Sequence, residues 1–155
     1  MIPNRVVIDT NVCLDLFVFR DPRWAALLAA LRDGSLQAVT RADCRREWQI
    51  VLGYAHLALD NMLRPQAERE FDALITCLAF EVQPAEMAIR LPLCKDADDQ
   101  KFLELARDAE AETLITKDKA LLKLARKTAR AGLFSIMKPE AWLLQRVAVA
   151  GAALE

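Results

Sequence analysis

The stretch Val6-Val7-Ile8-Asp9-Thr10-Asn11-Val12-Cys13 joins a β-branched run to an acid and then to apolar residues at helical spacing. The run shows no alternation of apolar with polar residues. That is the look of a strand buried on both faces, the kind found in parallel sheets covered by helices. Beyond this stretch, residues 22–31 read as a helix stopped near Gly34, 36–39 as a strand, and 41–55 as a helix. Residues 65–80 read as a helix opened by Pro65, with Thr76 and Cys77 near its end. Residues 100–108 form a further helix, 113–116 a strand, 119–129 a helix, 134–136 a strand, and 139–147 a last helix behind Pro139. The segment 84–94 reads as irregular or partly helical. Strands alternating with such helices predict α/β architecture, a three-layer α/β/α sandwich with a central, mostly parallel sheet of Rossmann-like type.

Within that frame, Asp9, Glu47, Asp99 and Asp118 share one property: each is followed by apolar residues three, four and seven positions on. That spacing sets a carboxylate on the inward face of a helix, where a lone charge is costly. Asp21, Glu70 and Glu140 pass the same filter. Asp21 before Pro22 and Glu140 after Pro139 are explained by helix-start electrostatics, and Glu70 flanks the stripe Ala67, Phe71, Leu74, Leu78. In an open parallel sheet the loops leaving the carboxyl ends of the strands gather at one edge, where such folds take ligands. Asp9 and Asp118 each follow a strand directly, so convergence of the four acids there would make a site for magnesium or manganese.

Each acid also has a plainer explanation. Asp9, Asp99 and Asp118 suit helix N-caps, worth roughly 1 kcal/mol each. Glu47, read as mid-helix on an apolar face, is no cap, and its plainer role is a buried ion pair with an arginine. Asp96 could assist as a further ligand, whereas Asp98 is expected to face solvent. Thr10, Asn11 and Thr116 adjoin the acids and could orient them, or serve ordinary turn and cap bonding. Trp24, Trp48 and Trp142 read as core or interface, and the lone His56 is assigned no chemistry.

The chain has 155 residues and a formal net charge of −1, which suits one domain with a real core and excludes a global basic field. Arg20, Arg23, Arg41, Arg45 and Arg46 lie near the first two acids, either as a solvated rim or as phosphate contacts. Cys13, Cys44, Cys77 and Cys94 lack zinc or redox spacing and read as reduced, buried or half-buried side chains. With no signal-peptide build and no run long enough to span a bilayer, a cytoplasmic protein without membrane contact is expected.

Val6-Val7-Ile8-Asp9-Thr10-Asn11-Val12, Glu47, Asp96-Ala97-Asp98-Asp99-Gln100-Lys101-Phe102-Leu103 and Leu114-Ile115-Thr116-Lys117-Asp118, in this order and spacing, resemble the PIN domain family. The likeness is closest to bacterial single-domain members assigned as toxins of toxin-antitoxin systems, and it runs from the first strand to Trp142. It implies a PIN-like nuclease domain over 1–147, with 148–155 a tail whose Leu154 and Glu155 are set aside as a cloning remnant. It further implies an endoribonuclease acting on single-stranded RNA with Mg²⁺ or Mn²⁺, a small antitoxin partner, and a homodimer with residues 65–80 as one contact. The family's ligand positions fall on Asp9, Glu47, Asp99 and Asp118, which would hold the ions that activate water and align the scissile phosphate. Ala97, Gln100 and Lys117 depart from the commonest residues without removing a carboxylate. The rivals are a haloacid-dehalogenase-like phosphotransferase with Asp9 as nucleophile, which wants an acid where Asn11 stands, and a PIN-fold RNA- or partner-binding module that does not cut.

Overall fold

A computed structural model describes residues 1–81 and 87–154. In chain order the elements are strand β1 (Ile2–Ile8), helices α1 (Thr10–Phe17) and α2 (Ala25–Arg32), strand β2 (Gln37–Thr40), and helices α3 (Ala42–Leu52) and α4 (Leu63–Leu74). Strand β3 (Ile75–Cys77), helix α5 (Gln100–Asp108), strand β4 (Ala111–Ile115), helices α6 (Lys119–Leu122) and α7 (Ala125–Arg130), strand β5 (Ser135–Met137) and helix α8 (Pro139–Leu154) follow. The five strands form one parallel sheet in the order β3-β2-β1-β4-β5. This is the expected three-layer PIN-like α/β arrangement.

Pleating divides the strand residues between two apolar layers, as a sheet covered on both faces requires. Val6, Ile8, Ala38 and Ile115 pack with α1, α2 and α4, around Trp24, Trp48, Phe71 and Trp142. Val7, Val39, Leu114 and Ile136 pack with α5 and with Leu121 and Leu124 on the other face. All three tryptophans are core residues, as the spacing predicts. Trp48 stacks on Phe71 at 5.0 Å between ring centroids and meets Phe17 edge-on at 6.0 Å, which fixes α3 against α1 and α4. Gly34, at φ 80°, takes the left-handed turn that ends α2 before β2.

Several boundaries differ from the sequence reading. The helix expected over 65–80 ends at Leu74, and Ile75–Cys77 pairs with β2 as an edge strand. Three residues are too few to display strand alternation, and the stripe of α4 runs into Ile75 without a break. Cys77, expected to be at least half-buried, is exposed because it lies on that edge; the other three cysteines are buried, and all four are free thiols. The helix expected over 119–129 is two helices, and no local residue type marks the break. The last helix continues past Val147 to Leu154. The segment 84–94 lies partly outside the described residues. No described helix is long and apolar enough to cross a membrane.

Candidate metal centre

The neighbours β1 and β4 are where the chain's path across the sheet reverses. The chain leaving β1 enters α1 on one face, and that leaving β4 enters α6 on the other. A crevice therefore opens between their carboxyl ends, the usual ligand position in such folds. Asp9 and Asp118 are delivered to it. The Asp9 amide donates to the Ile115 carbonyl at 3.0 Å and the Thr116 amide donates to the Met137 carbonyl at 3.0 Å, so the strand ends are held in line.

Thr116 ties the two acids together. Its buried hydroxyl donates to Asp9 Oδ2 at 2.7 Å and accepts from the Asp118 amide at 3.0 Å, so it both orients a carboxylate and closes a turn. On the opposite side, the Thr10 hydroxyl donates to Glu47 Oε2. Asn11 is exposed and, among the described residues, its side chain joins none of these bonds.

The helix-cap explanation separates the acids. Asp118 is a cap, accepting from the Ala120 amide at 2.9 Å, and Asp96 accepts from the Asp98 amide at 3.1 Å at the head of a short turn. Asp9 and Asp99 stand at the N-cap positions of α1 and α5 but make no capping bond. Capping therefore does not account for either carboxylate, which leaves them for another partner.

One ligand atom each from Asp96, Asp99 and Asp118 lies within 4.8 Å of the others, a group that can hold a metal ion. Asp99 and Asp118 are half-buried and Asp96 is exposed, while Asp98 points to solvent as expected. Asp9 lies outside that tight triad but within electrostatic reach of it. Burial raises the Asp9 pKa above the ordinary carboxylate range; the Thr116 and Thr10 hydrogen bonds oppose the rise, and the charges of Glu47 and Asp118 add to it. Asp99 is pushed up to about 8, first by burial, then by a hydrogen bond to Asp118 and the charges of Asp118, Asp9 and Asp96. A carboxyl with that pKa keeps its proton near neutrality, because it is half-buried among other acids. The donors are all carboxylate oxygens, hard ligands of the kind that divalent magnesium, manganese or calcium prefers.

Glu47 departs from its sequence reading. The buried stripe of α3 is Cys44, Trp48 and Leu52; of the three residues behind Glu47 that marked it as inward, Val51 packs against the core while Ile50 and Tyr54 are exposed. Glu47 sits beside the apolar face, and its side chain is 28% exposed. Its ion pair is with Lys101 at 2.9 Å, not with an arginine. Lys101 also donates to the Asp98 carbonyl at 2.6 Å, so this lysine, which sequence reasoning passed over, links the α3 acid to the loop carrying the triad. Its place two residues after Asp99, one turn before the buried Leu105, was the available signal.

The nearby arginines are mostly engaged with acids at the surface. Arg20 and Arg32 meet Glu70, Arg23 meets Asp21, Arg41 meets Asp43, and Arg45 meets Asp72. These pairs favour the solvated-rim reading over phosphate contact. They also account for Glu70, while Asp21 accepts from the Arg23 amide at the helix start expected of it. His56 is exposed and outside the acid group.

A family model described as PIN domain matches residues 5–120, well over half of the chain and all of the acids above. PIN domains are generally metal-dependent nucleases, so the match supports a hydrolase of the nuclease kind. No curated protein matches the chain significantly.

Proposed function

The chain belongs to the PIN domain family, and from that premise we propose that it is an endoribonuclease cutting single-stranded RNA with Mg²⁺ or Mn²⁺ as cofactor. One observation carries the reading: half-buried Asp99 and Asp118 meet with exposed Asp96, and buried Asp9 lies within electrostatic reach of them, a gathering of like charge with no cation in the group among the described residues. Asp9, Asp99 and Asp118 would be the ligands, with Asp96 assisting and Glu47 contributing once Lys101 releases it. A divalent cation held there supplies the positive charge that favours attack on the phosphodiester and stabilises the leaving oxygen. Thr116 keeps Asp9 turned toward the crevice, and Thr10 does the same for Glu47.

The toxin role, a small antitoxin as partner, a homodimer and the nuclease unit at 1–147 belong to the same proposal and rest on the resemblance; a cytoplasmic location belongs to it on the ground of the sequence reading. The phosphotransferase rival has lost its footing, because the family is a different one and the position two after Asp9 is an exposed asparagine. Purified protein is to be incubated with labelled, unstructured RNA and with single-stranded DNA of the same sequence, under Mn²⁺, Mg²⁺ or EDTA, beside Asp9→Asn. RNA cutting that needs the metal and vanishes in the variant is expected. Equal cutting by Asp9→Asn would remove the centre from these residues, and metal binding without cutting would favour the non-catalytic module.

A further inference from the structure

Asp15 is a second buried acid of α1 that the nuclease reading leaves unused, its side chain only 11% exposed. It collects donors from two other parts of the chain. Lys117 Nζ reaches Asp15 Oδ2 at 2.6 Å, and Trp24 Nε1 donates to the same oxygen at 3.3 Å. The Asp15 carbonyl accepts from the Asp21 amide at 2.9 Å, so the backbone beneath it is held as well. Lys117 lies 102 residues from Asp15 in sequence, between Thr116 and Asp118, the two residues that shape the crevice.

We propose that the Asp15–Lys117 ion pair is a positioning device for the metal centre: it anchors the turn Thr116-Lys117-Asp118 against α1, so that Asp118 faces Asp99 while Thr116 faces Asp9. The inference rests on reading Asp9, Asp99 and Asp118 as ligands. The turn is then held on three sides, by the Thr116 amide on Met137, by the Thr116 hydroxyl on Asp9, and by Lys117 on Asp15. The first two bonds are made by residue 116. The Asp118 amide on the Thr116 hydroxyl and the Ala120 amide on the Asp118 carboxylate shape the turn from within, and the Lys117 bond is the one that ties residue 117 itself to α1. Trp24 holds the receiving oxygen still, as outer partners of metal sites commonly do for the groups they orient. An apolar pair of similar volume could join α1 to the turn about as stably, but without the direction that an ion pair and an indole N–H impose.

The test compares the parent with Lys117→Met, Lys117→Arg and Asp15→Asn by three readouts: the Mn²⁺ midpoint from thermal-shift titration, RNA-cleavage kinetics, and the denaturant midpoint of the metal-free protein. Lys117 is partly exposed, at 38%, so its replacement by Met is expected to fold. For Lys117→Met the Mn²⁺ midpoint should rise and kcat should fall, each by about 10- to 100-fold. KM for RNA should stay within about 2-fold, because the interaction lost is not with substrate. Lys117→Arg should restore most of both. If Lys117→Met and Asp15→Asn lower the denaturant midpoint but leave the Mn²⁺ midpoint and kcat at parent values, the pair is a brace for the fold and the inference fails alone. A parent protein that neither binds Mn²⁺ nor cuts RNA overturns the ligand reading, and this inference with it.

Discussion

Asp9 stands at the head of α1 and Asp15 within it, and both are buried, at 4% and 8% exposure, yet their surroundings are opposite in kind. Asp15 is met by an ammonium and an indole N–H. Asp9 is met by a threonine hydroxyl, and beyond it by more carboxylates. Burial removes water from both, so desolvation alone does not distinguish a structural acid from a chemical one. The distinction lies in what replaces the water. An acid supplied with a cation from its own chain is complete, whereas one facing other acids is stabilised only by a cation from outside.

The sharpest way to break this contrast is to neutralise each acid in turn. Asp9→Asn should reduce metal-dependent cleavage by more than about 100-fold, since even residues that only orient a ligand are worth about 10- to 100-fold. It should leave the metal-free protein at least as stable as the parent, because a buried like charge has been removed. Asp15→Asn should do the reverse to stability, lowering it by about 1–3 kcal/mol as a charged hydrogen-bonding partner is lost. Urea unfolding in EDTA measures both; equal losses would mean that the two acids are held alike.

A smaller effect comes from pH. Asp99, pushed up to about 8, and Asp9, raised in the same direction, bind protons more tightly folded than unfolded. Their folded-state protons favour the native protein, and that advantage is lost as pH rises from the ordinary carboxylate range through the folded value. The melting temperature of the metal-free protein should therefore fall between pH about 5 and about 8, and Asp99→Asn should flatten most of that fall. Saturating Mn²⁺ should reverse the slope, because ligand carboxylates must lose protons to bind. A melting temperature independent of pH in the parent would mean that the acids do not repel one another as their geometry requires.

The smallest effect concerns Lys101. Removing its ammonium with Lys101→Met leaves Glu47 facing the other acids, but the pair is partly exposed and worth less than about 1 kcal/mol. A drop of at most about 4 °C in the metal-free melting temperature is expected, disappearing once Mn²⁺ is added. A large drop that persists with metal would make Glu47–Lys101 a brace for the fold.

Much of the fold was legible in residues 6–13 and 113–118, where β-branched runs pass into acids and helical spacing. Strands buried on both faces must be apolar throughout, and that leaves an unmistakable run. Strand β3 was not legible, because an edge strand of three residues carries no period of its own. Asp9 and Asp99 answered to the apolar spacing behind them, since Val12, Cys13, Leu16, Phe102, Leu103 and Ala106 are all buried. Glu47 passed the same filter on Ile50, Val51 and Tyr54, of which only Val51 packs against the core. In a chain 54% hydrophobic, apolar residues at helical spacing also occur on exposed faces.

By itself the sequence determined the order of the elements, the parallel sheet and the acids that open helices, because these follow from local periodicity and from the few residue types that suit a strand end. It could not say which acids meet each other and which meet a lysine. Thr116 reaches Asp9 and Lys117 reaches Asp15 only after β4 pairs beside β1, and neither residue type nor spacing encodes a contact across 102 residues. That choice of partner, which sets whether a buried charge is neutralised from within, belongs to the tertiary structure alone.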